Sequence, residues 1–150
     1  MRKYKKGINL VALVCVIFVL IILAGTIVVS FNNIYISTKK KEFANEIYNV
    51  QKLVDQYYFK NGEYPVKGND IYFDLSLVDD VKTEFIPTKE VDLYEAGVEE
   101  SNRGQKNISE DDIYIVSNSG VVYYKLGQKI GDETYYTLTD DLKKHLGLVK

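Results

Sequence analysis

Few residues in this chain could make or break a bond. There is one histidine, His145, close to the C-terminus among lysines, and one cysteine, Cys15, inside an apolar run. A nucleophile needs a base beside it, and neither residue offers that pair outside the apolar run. Carboxylates cluster at Asp79-Asp80, Glu99-Glu100 and Glu110-Asp111-Asp112. Such groups can bind calcium or move protons. None has the alternating Asp/Asn spacing and closing Glu of a calcium loop, and runs of this kind are ordinarily solvated turns. No glycine-rich phosphate loop is present. The expectation is no catalytic centre, no metal and no cofactor. Thirteen tyrosines are the larger anomaly. A tyrosine-rich sheet can be a platform for carbohydrate or nucleic acid. The simpler expectation is a half-buried strand surface with the hydroxyls wet.

Charge is distributed more tellingly than its total of −2 suggests. Arg2, Lys3, Lys5 and Lys6 precede a stretch, residues 7–38, with no charged side chain. From residue 32 onward, 15 Lys and Arg stand against 21 Asp and Glu, a net −6. An acidic body argues against nucleic acid as a partner, because phosphate binding needs a basic surface. Residues 10–29 read LVALVCVIFVLIILAGTIVV. Hydrocarbon about 30 Å thick needs about 20 apolar residues in a helix. A cleaved secretory signal has a shorter apolar stretch and a small-residue exit, which is missing here. Residues 8–31 are therefore expected to cross a cell membrane once. The basic residues before them keep the N-terminus cytoplasmic and the C-terminal domain extracytoplasmic.

Beyond the span, Phe43, Ile47, Val50, Val54 and Tyr57 recur at steps of four, three, four and three, which lines one face of a helix. Lys40, Glu42, Glu46, Lys52 and Asp55 take other faces. No proline or glycine lies between residues 26 and 61. Either a turn at residues 30–33 separates two helices, or one helix runs from about residue 8 to 60. The second reading is preferred. Asn61-Gly62 and then Pro65 stop it. Strands are expected at residues 70–75 and 91–94, with residues 77–86 ambiguous between strand and short helix. A polar loop follows at residues 97–111. DIYIV and VVYYKL around Ser117-Asn118-Ser119-Gly120 predict an antiparallel hairpin. Residues 127–131 read as a turn and residues 134–138 as a further strand. Thr139 before Asp140-Asp141 starts a terminal helix that Gly147 ends.

At the N-terminus, Lys5-Lys6-Gly7 followed by Ile8-Asn9-Leu10-Val11-Ala12-Leu13 resembles the prepilin processing motif of type IV pilins and type II secretion pseudopilins. The resemblance implies cleavage by a prepilin peptidase after Gly7 and methylation of Ile8 as the new first residue. It also implies an apolar helix that anchors the subunit and later packs against other subunits. Ile8 stands where Phe or Met is commoner, Asn9 replaces Thr or Ser, and Ala12 replaces a Glu thought to pair with a neighbour's N-terminus. Gln56 to Pro65, QYYFKNGEYP, resembles the end of a pilin stem. The tail from Asp112 to Gly147 looks like that of pilin-like proteins from Gram-positive bacteria. The resemblance covers both ends and the stem, not residues 66–110.

The expected fold is α+β, a long transmembrane-plus-stem helix packed on a small antiparallel sheet. Residues 1–7 are the leader, 8–31 the span, and 32–150 the stem and head. The expected role is a non-enzymatic structural subunit, a minor pilin or pseudopilin, of a pilus, secretion or DNA-uptake filament. The alternative is an uncleaved single-pass protein whose outer domain binds a ligand or partner, and a membrane-tethered enzyme is third. Gly7 and Ile8 separate the first from the others.

Overall fold

The computed structural model describes residues 10–79, 83–99, 103–105 and 108–149. The first element, α1, is a single helix, Leu10–Asn61, unbroken through residues 30–33. Its hydroxyls cooperate with the helix. Thr26 Oγ1 donates to the Leu23 carbonyl at 2.9 Å and Ser30 Oγ to the Thr26 carbonyl at 3.0 Å, so neither competes for a turn. The stop comes where expected. Gly62 takes a left-handed φ of 77° and its N–H donates to the Tyr58 carbonyl at 2.8 Å.

The chain divides into two compact units, Met1–Ser37 and Thr38–Lys150. In the first, the side chains of residues 10–26 are exposed on every face. A helix that is apolar all round is stable in lipid or in a large protein core, not in water. This is the one helix among the described residues long and apolar enough to cross a membrane, and its best 18-residue window has a mean hydropathy of 3.2.

The second unit is α+β. Strands β1 (Val66–Asp74), β2 (Phe85–Val91), β3 (Tyr114–Ser117) and β4 (Val122–Tyr124) form an antiparallel sheet in sequence order. A two-stranded hairpin, β5 (Gln128–Ile130) with β6 (Glu133–Tyr135), forms a second sheet, and the Tyr124 N–H of β4 donates to the carbonyl of Tyr136 just after β6. Two short helices complete the unit, α2 (Leu93–Ala96) and α3 (Asp140–His145). Every residue of β3 and β4 is buried, so these central strands carry side chains into packing on both faces. On one face Phe73, Ile115 and Tyr123 form a cluster, backed by Ile86 and Tyr136. The Phe73 and Tyr123 rings are tilted 33° to each other with centroids 4.7 Å apart.

Several expected elements are present with altered bounds, and two are corrected. The hairpin at residues 112–126 is β3–β4, with Ile115 opposite Tyr123. The strand expected at residues 70–75 is longer, and an irregularity between Lys67 and Ile71 interrupts its pairing. Of the ambiguous segment, Leu77 ends a 3-10 turn, Leu75–Leu77, and Phe85 and Ile86 begin β2, while residues 80–82 lie outside the described residues. Residues 91–94 are not a strand of their own. β2 ends at Val91, because Asp92 caps α2 by accepting from the N–H groups of Tyr94 and Glu95 at 3.1 Å each. Residues 127–131 are not merely a turn, since Gln128–Ile130 pairs with Glu133–Tyr135 across Gly131-Asp132. A Gly-Asp pair between short strands is a tight hairpin signal, hidden here because β5 has only three residues. At the C-terminus Thr139 caps α3 as its sequence requires.

Candidate functional site: the apolar helix and the seat of the stem

Gly7 and Ile8, the expected processing residues, lie outside the described residues. Leu10 and Val11 open α1 and are 74% and 65% exposed; Ala12 is exposed as well. Cys15 is a free thiol exposed on the apolar helix. His145 sits half-buried in α3. Asp80 and Glu100 also lie outside the described residues.

The residues from Thr38 to Asn61 form a seat rather than a free rod. Phe43, Ala44, Ile47, Val50 and Val54 are at most 2% exposed, and Tyr57 is half-buried. The apolar stripe read from spacing is therefore the packed face, widened by Ala44. Phe43 meets Tyr124 of β4 with centroids 6.3 Å apart.

Polar groups clasp the stem at four heights. At the lowest, Lys40 Nζ reaches Asp141 Oδ2 at 2.8 Å, and the Tyr135 hydroxyl donates to the same oxygen at 3.0 Å. The hydrogen bond to Asp141, then that with Tyr135, raises the Lys40 pKa above its ordinary value. The Lys40 contact likewise holds Asp141 below the usual carboxylate range. Burial and the nearby Glu133 push the Tyr135 hydroxyl up to about 12. Six residues on, nearly two turns higher, Glu46 pairs with Arg103, whose guanidinium lies over the Phe43 ring at 5.0 Å and donates from Nε to Gln128 Oε1 at 3.0 Å. Above that, the Gln51 amide stands in for a neighbouring strand. Its Oε1 accepts from Val122 N–H and its Nε2 donates to the Gly120 carbonyl, both at 2.8 Å. At the top, Tyr58 and Tyr64 stack at 4.5 Å. Gly120 has a φ of 86°, and a Cβ there would sit 2.6 Å from the Tyr64 hydroxyl. Only glycine lets the β3–β4 turn approach so closely.

Of the carboxylate clusters, Glu110-Asp111-Asp112 has the clearest structural task. Asp112 is fully buried. It accepts from Gly104 N–H at 2.7 Å, from the Tyr124 hydroxyl at 2.8 Å and from Ile108 N–H at 3.2 Å. Burial opposes its charge, yet these three donors, with Arg103 nearby, hold its pKa below the ordinary value. Asp111 pairs with Lys125 at 2.7 Å. Among the described residues, no group of three or more His, Cys, Asp or Glu side chains could hold a metal ion.

No known protein family matches this chain, and neither a curated protein nor a solved structure does.

Gln51 and Arg103 were not legible as key residues beforehand. Arg103 had one signal: it is the only arginine beyond Arg2, placed in an acidic body. Gln51 had a weaker one, lying four residues after Ile47 on the buried side of the stem.

Proposed function

We propose that this chain is a non-enzymatic structural subunit of a pilin-like filament, of the minor pilin or pseudopilin kind, held in the cell membrane before assembly. The observation that carries the reading is the single helix Leu10–Asn61, apolar and exposed in its first half and seated on a small antiparallel sheet in its second. A bare apolar segment needs lipid and then other subunits around it. The stem that follows it in the same helix is packed into the head. The basic residues before the span put the N-terminus in the cytoplasm, where a prepilin peptidase would meet Gly7 and Ile8. No nucleic acid is expected against the acidic head.

The test is the intact mass and first residue of the protein isolated from cells with an active prepilin peptidase. Mature protein should begin at Ile8, N-methylated, and Gly7→Val should retain residues 1–7. A wild-type chain that keeps its leader in such cells would sink the filament reading. It would favour instead an uncleaved single-pass protein with an outer binding domain.

A further inference from the structure

The dipeptide Asn61-Gly62 ends the stem, and it carries a chemistry of its own. A glycine after an asparagine has no side chain to shield its backbone nitrogen, which can attack the asparagine side-chain carbonyl. Both residues are exposed to water, the other reactant. In the folded head, however, each reacting group is already held. Asn61 Nδ2 donates to the Tyr57 carbonyl at 3.0 Å, and the Gly62 N–H donates to the Tyr58 carbonyl at 2.8 Å. Side chain and nitrogen are thus tied back along the helix to different carbonyls. A ring pair fastens this last turn to the chain beyond it: Tyr58 stacks on Tyr64 with centroids 4.5 Å apart and planes 21° from parallel. Tyr58 is itself 42% exposed, so the turn lies at a loosely packed end of the stem, where local opening is easiest.

We propose that Asn61 is a self-modifying site gated by the last turn of α1: closed, the site is inert; open, it converts to aspartate and isoaspartate. When the turn opens, the Gly62 nitrogen gives its proton to hydroxide and bonds to Asn61 Cγ. The Cγ–Nδ2 bond breaks, and Nδ2 takes a proton from water and leaves as ammonia. A five-membered imide remains. Water adds to one of its two carbonyls and cleaves a C–N bond, giving aspartate or, with the backbone rerouted through the side chain, isoaspartate. No enzyme and no oxidant takes part. The product cannot close the turn as before. A carboxylate has no proton to donate to the Tyr57 carbonyl, and its charge lies at the negative end of the helix. Isoaspartate also lengthens the backbone by one atom just where Gly62 bonds to Tyr58. One opening is thereby fixed as a lasting loosening of the joint between the stem and Tyr64. The proposal stands apart from the filament reading, since it concerns the second unit alone.

The experiment incubates the full chain in detergent micelles at mildly alkaline pH, with and without concentrated urea. Peptides from a brief acidic digestion are weighed over time, and isoaspartate is separated from aspartate by its elution. In urea Asn61 should convert, since neither hydrogen bond survives there. In the folded chain conversion should be slower by at least about tenfold, because it waits on a local opening. Tyr64→Ala should raise the folded rate by roughly two- to tenfold, the contribution of one ring pair, and leave the rate in urea unchanged. Tyr64→Phe, which keeps the stack, should match wild type. A circular dichroism melt separates a loosened turn from global unfolding of the alanine variant, and the wild-type comparison needs no variant at all. Equal rates with and without urea would overturn the gate. So would a folded Tyr64→Ala chain that converts no faster than wild type. An Asn61 that stays intact in urea overturns the site itself.

Discussion

Asp112 shows how one buried charge can hold separate stretches of backbone together. Its two oxygens take three donors, two of them backbone N–H groups from Gly104 and Ile108, and so tie the segment before β3 to the hydroxyl of Tyr124 on β4. Because its pKa lies below the usual 3.8 or so, the unfolded chain binds the extra proton first on acidification. Its stabilisation is therefore complete above the unfolded value and drains away as pH falls through the folded one. Asp112→Asn should cost about 3 kcal/mol at neutral pH, since an amide cannot accept from all three donors. It should also flatten the acid limb of a stability-versus-pH curve measured by urea unfolding; an unchanged limb would refute the assignment. The Lys40–Asp141 pair is weaker in kind. Asp141 is about half exposed, so solvent screens the pair and it contributes under about 1 kcal/mol.

The stem and the β3–β4 hairpin depend on each other. The stripe of Phe43, Ile47, Val50 and Val54 supplies apolar area, and Gln51 fixes the fit by pairing with the outer edge of β4. Val50→Asp should destabilise the head by about 4 kcal/mol, because an unpaired charge would be buried. Exposed Lys52→Glu should stay within about 0.5 kcal/mol. Equal melting temperatures would show that the face is misassigned. Gln51→Leu keeps the size but strands Val122 N–H and the Gly120 carbonyl. About 2 kcal/mol should be lost. The Val122 amide should then exchange with deuterium faster than the Ile115 amide, whose strand lies inside the sheet. Unchanged protection at Val122 would mean that the glutamine is ornamental. On the opposite side of the sheet β1 is an open edge. Its pairing irregularity between Lys67 and Ile71, and the charges of Lys67 and Asp70, make it a poor template for another strand.

At the scale of the whole molecule, the proposed assembly turns on an absence of charge in the first half of α1. No acid lies between Gly7 and Thr38. In a filament, each N-terminal amine released by processing would lie in an apolar core, where an unpaired charge costs several kcal/mol. Ala12 cannot supply the counter-charge. The chain should therefore not form long filaments by itself, but should enter mixed assemblies or occupy a tip. Ala12→Glu should enter filaments more readily than wild type. Shear release from cells expressing this protein as the sole pilin, followed by microscopy and blotting, checks the point. Abundant long fibres of the wild-type chain alone would overturn it.

Periodicity along one element needs no partner to be read. The apolar run, the stem stripe from Phe43 to Val54, the Gly62 stop, the hairpin around Gly120 and the Thr139 cap were all legible, because each is dictated by chemistry within a few residues. What the tertiary structure decided involves residues far apart. Arg103 meets Glu46, Gln51 meets Val122, and Asp112 gathers Gly104, Ile108 and Tyr124; no local pattern encodes those pairings. The short strand Gln128–Ile130 was missed because three residues carry too little alternation to outweigh flanking glycines. Residues 91–94 were misread because Val91 has a strand's preferences, whereas the cap that ends the strand is a side-chain hydrogen bond from the next residue. Composition showed that tyrosine was abundant, but only packing decides which rings, such as Tyr114 and Tyr124, are spent on the core and which, such as Tyr72 and Tyr94, are left facing water.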